Sequence, residues 1–145
     1  MTENEARINV QIAEKVFGWV QYLTKRGFYY FGPPDAFSKE FAHAEGIAVV
    51  EFCGHDIANA PDFLHDCNAS KMLRDKLDEL GFKSQHLWRS PDGFIFDCAF
   101  ADDPFSTISP PLFSSSEADE YIASEFEAVV RCCCSAFSIK WEDER

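Results

Sequence analysis

The sequence predicts an α+β fold in a single acidic domain over residues 1–145, with helices packed on a mainly antiparallel sheet in an αβα-type layered sandwich. Three observations predict it. Apolar residues recur at helical spacing in three long stretches, at the start, the middle and the end of the chain. Between them lie short runs rich in Phe, Val and Ile, one pair of which flanks a Pro-Asp-Gly turn, the signature of an antiparallel hairpin. A chain of 145 residues with 46% hydrophobic and 15% aromatic content can bury one real core, which argues against disorder.

The first helix is expected over 3–25. Thr2 and Glu5 fit a capping box, Ile8, Ile12, Val16, Trp19, Val20 and Leu23 keep helical spacing, and Gly27 is a stop. The aromatic run 28–31 suits a short strand, Gly32-Pro33-Pro34 breaks it, 35–44 has room for one or two helical turns, and 47–53 reads as a strand. After the turn Asn59-Ala60-Pro61-Asp62, a second helix is expected over 66–80. Asp66 is its N-cap, Met72, Leu73, Leu77 and Leu80 its apolar stripe, and Gly81 the residue beyond its end.

Strands over 82–88 and 94–100 flank the turn Arg89-Ser90-Pro91-Asp92-Gly93, with Phe94, Phe96, Cys98 and Phe100 on one face. Residues 101–116 form a Pro- and Ser-rich loop, where Phe105, Ile108, Leu112 and Phe113 are expected to cover the core, the alternative being that they anchor an interface. The last helix is expected over 117–136, with Ile122, Phe126, Val129, Val130 and Cys133 inward. No internal repeat is visible.

The charge is −12, from 25 acids and 13 bases, and from Phe100 onward there are ten acids and three bases. Direct nucleic-acid binding by phosphate neutralisation is excluded, because it needs a basic stripe. The N-terminus is polar where a signal peptide would be apolar, and no apolar run approaches a membrane span. A cytoplasmic setting with six reduced, structural Cys is therefore expected. Consecutive Cys132, Cys133 and Cys134 would point about 100° apart on a helix, burying one and exposing another.

Ile12 to Trp19 in the first helix, and Pro61 to Asp66 with Asn68-Ala69 before the second, are two stretches similar to the phage ABA sandwich domain family of small phage proteins. Ile12-Ala13-Glu14-Lys15-Val16-Phe17-Gly18-Trp19 resembles its opening helix, with Phe17 where the family has Met. Pro61-Asp62-Phe63-Leu64-His65-Asp66, then Asn68-Ala69, resembles its turn into the second helix, with Leu64 departing from the usual Ser. The resemblance implies a phage or prophage origin and layered helices and sheet. It implies no activity and supplies no catalytic residues.

Candidate chemistry is sparse. There is no Gly-rich phosphate loop, no G-x-S-x-G and no H-E-x-x-H, so no enzymatic activity and no cofactor are expected. Cys53, His55, His65 and Cys67 make a mirrored Cys₂His₂ set, but their one-residue spacings are not those of zinc sites. The best functional patch is acidic: Glu117, Asp119, Glu120, Glu125 and Glu127 on the last helix, with Asp102, Asp103, Asp92 and Asp97 nearby in sequence.

Carboxylates spaced along one surface can face Lys and Arg that otherwise meet phosphates. The expected partner is a host protein or ribonucleoprotein complex with a basic nucleic-acid channel, as for an anti-CRISPR or similar anti-defence inhibitor in the bacterial cytosol. A second expectation is a protein that sequesters a nucleotide signal, for which Lys83, Arg89 and Arg131 are the available cations. A third is a phage accessory or assembly protein. The sequence leaves open whether the chain forms a homodimer.

Overall fold

The computed structural model describes residues 2–99, 112–115 and 121–141. The architecture is α+β, with four helices and two small antiparallel three-stranded sheets.

Helix α1 (Glu3–Lys15) opens on a complete capping box. Thr2 Oγ1 accepts from the Glu5 N–H at 3.1 Å, and Glu5 Oε1 accepts from the Thr2 N–H at 3.1 Å. The reciprocal pair satisfies two of the donors that every helix N-terminus leaves orphaned. The helix stops at Lys15, well short of the expected Lys25, because Gly18 takes a φ of 71° and turns the chain away. The Trp19 N–H then closes back on the Ala13 carbonyl at 2.9 Å. The apolar residues beyond Gly18 belong to strand β1 (Val20–Leu23), not to the helix.

The first sheet has the order β2-β1-β3, with β2 at Tyr29–Gly32 and β3 at Ala48–Val50. Gly27, with a φ of 88°, serves the turn between β1 and β2 rather than a helix end. Gln21 lies across from Phe31 and Val50, and Tyr22 across from Tyr30 and Val49. These pairs define two faces. Over the Tyr22 face, the Tyr22 hydroxyl donates to the Pro33 carbonyl, and Phe37 meets the Tyr22 and Tyr30 rings edge-on. A short helix, α2 (Lys39–Glu45), follows, capped by Ser38 and ended by Gly46 in the left-handed region.

Helix α3 (Cys67–Glu79) has Asp66 as N-cap, its carboxylate accepting from the Asn68 N–H at 3.0 Å. Leu73 and Leu77 are fully buried as the spacing predicts. Met72 and Leu80 are exposed instead, because the buried face of α3 continues through Ala69 and Ser70.

The second sheet has the order β4-β5-β6, with β4 at Ser84–Ser90, β5 at Gly93–Ala99 and β6 at Leu112–Ser114. The hairpin turns on Pro91-Asp92, and Ser90 pairs with Gly93. Phe96 and Cys98 face inward as expected. The expected long loop is broken by β6, whose Phe113 packs on the core and meets the Phe82 ring edge-on. Phe105 and Ile108 lie outside the described residues.

Helix α4 (Glu125–Ala136) has Ser124 as N-cap; of the expected helical residues before it, 121–124 are not helical and 117–120 lie outside the described residues. Residue Ile122 is not helical. It forms an antiparallel bridge with Phe94, the two N–H groups each donating across at 2.8 Å. Val129, Val130 and Cys133 are buried as expected, and Cys132 and Cys134 are buried with them. The expected split of that Cys run between inside and outside fails, because α4 is enclosed on more than one side there. Cys132 donates to the Phe113 carbonyl at 3.3 Å and lies 3.3 Å from Cys98 Sγ.

One core cluster joins Ile8 and Ile12 of α1 to Leu73 of α3, Phe96 of β5 and Val129 of α4. A second joins Val10 and Ala13 of α1 to Phe31 of β2. Helix α1 therefore contributes to both cores, packing one flank against the second sheet's helices and another against the first sheet. Its i, i+4 rows supply two apolar stripes where a surface helix needs one.

Candidate functional site

The two stretches singled out near the start and before α3 meet in space. The Phe17 and Phe63 rings stack with centroids 5.5 Å apart. Asp62 accepts from the Leu64 N–H and from the Asn9 amide, while Asn9 Oδ1 accepts from the Phe63 N–H at 3.1 Å. His65 stands between two carboxylates, Nε2 at 3.1 Å from Glu5 and Nδ1 at 3.1 Å from Asp62. The segment Pro61–Asp66 is thus a polar clasp that fastens α3 to α1.

This clasp accounts for one member of the mirrored Cys/His set. His55 stacks on Tyr29 at 4.4 Å, and Cys53 and Cys67 are exposed. Among the described residues, no three His, Cys, Asp or Glu side chains stand where they could hold a metal ion. The spacing of Cys53, His55, His65 and Cys67 is therefore not accompanied by convergence.

Of the acidic set, Glu125 and Glu127 occupy the first turn of α4, where the helix dipole favours them. Each has a local cation. Glu125 Oε2 is 3.6 Å from Arg89, and Glu127 Oε1 is 3.7 Å from Arg131 one turn along. Glu117, Asp119, Glu120, Asp102 and Asp103 lie outside the described residues. Eight of the 25 acids and one of the 13 bases fall outside them, so the described residues carry −5 of the total −12.

The bridge between Phe94 and Ile122 adds what the sequence did not show. It seats the Asp92 turn against Tyr121 and Ile122, the residues that directly follow the run from Glu117 to Glu120. A Cβ placed on Gly93 would stand 2.5 Å from the Ile122 carbonyl oxygen, and Gly93 has a φ of 133°. Glycine is required on both counts. The Asp92 turn and the start of α4, distant in sequence, are so brought together at one end of the second sheet.

The three candidate cations for a nucleotide are each engaged. Arg89 faces Glu125, Lys83 lies 3.8 Å from Asp78, and Arg131 pairs with Glu127 while lying 4.1 Å over the Trp141 ring. Lys83 does line a cavity of about 510 Å³ between α3, β4 and α4, with Lys71 and Arg74. Asp75, Asp78 and Glu125 line it too, so its cations and acids balance.

A groove that sequence reasoning missed lies along α1, with a volume of about 770 Å³. Glu3, Arg7, Val10 and Glu14 follow each other at i, i+3 and i+4 on one side of the helix. The opposite wall is Phe52, Gly54 and Ile57. Arg7 is occupied at one end: it donates to Asn4 Oδ1 and to the carbonyls of Lys140 and Trp141. Burial holds the Glu14 carboxyl above its ordinary value, against the pull of Lys15. The only sequence signal was the amphipathic pattern of α1, and no periodicity shows that a loop forty residues later walls its polar side.

No family model, curated protein or solved structure matches this chain.

Proposed function

We propose that the protein is a phage-type, non-enzymatic inhibitor that binds a host nucleic-acid-handling defence complex, presenting carboxylates where that complex grips phosphates. The observation that carries the reading is the charge of −12, concentrated toward the C-terminal third of the chain. The bridge at Ile122 supports it, since it brings the Asp92 turn beside the start of α4, where Glu125 and Glu127 lie. The resemblance of the α1 and Pro61–Asp66 stretches to a phage domain family agrees with that origin. A host cytosolic setting follows from the same reading.

The test is a pull-down from nuclease-treated bacterial lysate, washed at rising salt. A nuclease or RNA-guided complex that elutes as salt rises supports the proposal, because contacts with a basic channel are screened. The variant Glu117→Gln, Asp119→Asn, Glu120→Gln, Glu127→Gln is expected to lose most of that capture while remaining folded, with a small fall in melting temperature from the lost Glu127–Arg131 pair. Normal capture by this variant, insensitive to salt, overturns the electrostatic reading. Recovery of a co-purified nucleotide and no protein overturns it in favour of small-molecule sequestration.

A further inference from the structure

The groove beside α1 has one feature that the acidic reading does not use. Its floor and far wall are apolar, with Val10 below and Phe52 and Ile57 half exposed above. Such a surface is unusual to leave open beside a helix whose other flanks are buried. The polar groups within it are not equivalent. Arg7 spends its Nε and Nη2 donors on Asn4 and on two carbonyls of the C-terminal segment, which fixes its charge at that end.

Glu14 lies two helical turns further on, about 10 Å along the axis. It lines the groove, and no hydrogen bond or ion pair reaches its carboxylate from the described residues; Lys15, its neighbour in sequence, acts only as a charge at a distance. A carboxylate partly removed from water beside Val10 and Phe52 is stabilised by an incoming cation more than by water alone. An apolar cavity with one unsatisfied charged group is the general form of a small-molecule site.

We propose that this groove binds a small amphipathic organic cation, its protonated amine against Glu14 and its apolar body against Val10, Phe52 and Ile57. An anion of the same shape binds more weakly, because it would face the Glu14 carboxylate. The site is separate from the acidic end of the second sheet, so either can fail without the other.

The test is a titration of isotope-labelled full-length protein, at neutral pH and low salt, with three phenyl probes of matched size: phenethylamine, phenylethanol and 3-phenylpropionate. The readout is the amide resonances of Ala6, Val10 and Gly54. Phenethylamine is expected to give saturable shifts, phenylethanol about five-fold weaker binding, and the carboxylate weaker binding still. Glu14→Gln is expected to bring the amine down to the alcohol's affinity. Ile57→Ser, at a half-exposed wall position, is expected to weaken amine and alcohol alike. The proposal is overturned if the amine and the carboxylate bind equally, if Glu14→Gln keeps full amine binding, or if no probe saturates.

Discussion

Gln21 sits at the centre of the first sheet with 1% exposure, and neither its Oε1 nor its Nε2 finds a hydrogen-bond partner among the described residues. A buried carboxamide without partners forfeits its hydration and regains nothing, at a cost of about 1–3 kcal/mol. Leucine has nearly the same volume and suits a face shared with Phe31 and Val50. Gln21→Leu is therefore expected to raise unfolding free energy by about 1 kcal/mol in urea titrations. A fall would mean that the carboxamide is satisfied by ordered water. The buried thiols show the opposite economy. Cys132 donates to the Phe113 carbonyl and lies 3.3 Å from the Cys98 sulfur, and burial pushes Cys134 up to about 11. Cys132, Cys133 and Cys134 are packed as small apolar side chains within the core.

Among the elements, α1 is shared by both core clusters, and its first turn carries a pH signature. The Thr2 backbone N–H holds the Glu5 carboxyl below its ordinary value of 4.5, aided by the Thr2 side chain and His65 and opposed by partial burial. Because the folded value is the lower one, this interaction stabilises the fold above about pH 4.5 and is lost as pH falls through the folded value. Glu5→Gln keeps the capping geometry but removes the charge. It is expected to lower stability by about 0.5 kcal/mol at neutral pH, with the gap to the parent closing in acid. Equal melting temperatures at all pH values would show that the charge contributes nothing. At its other end, α1 is shorter than the spacing predicts, because Trp19, Val20 and Leu23 keep helical spacing by coincidence. Gly18 was the better stop, since only a residue tolerant of positive φ ends the helix there. The last helix likewise starts where a local cap stands: Ser124 caps α4, and Ile122 before it is used by the sheet.

For the molecule as a whole, the junction between the β4–β5 turn and Ile122 is the point where distant segments are joined. Gly93→Ala would drive a methyl group into the Ile122 carbonyl and force a strained φ. It is expected to cost about 2 kcal/mol in thermal or denaturant unfolding, within the range of overpacked sites. If the acidic end of the second sheet is the binding surface, the same variant weakens capture of the basic partner at temperatures where it remains folded. Parent-like stability would show that the bridge is not part of the folded core.

The sequence by itself determined the α+β class, the capping box at Thr2, the helix from Asp66, the hairpin around Pro91-Asp92-Gly93 and the acid excess. All of these are local: a cap, a period or a turn is written within a few residues. Only the tertiary structure decided that the strands divide into two sheets, that α1 serves both cores, and that Glu125 and Glu127 meet Arg89 and Arg131. It alone brought residues 52–57 opposite Glu14, and Pro61–Asp66 onto Asn9. These depend on which apolar surfaces find each other across long stretches of chain, and burial is non-directional, so no short window of sequence specifies the partner.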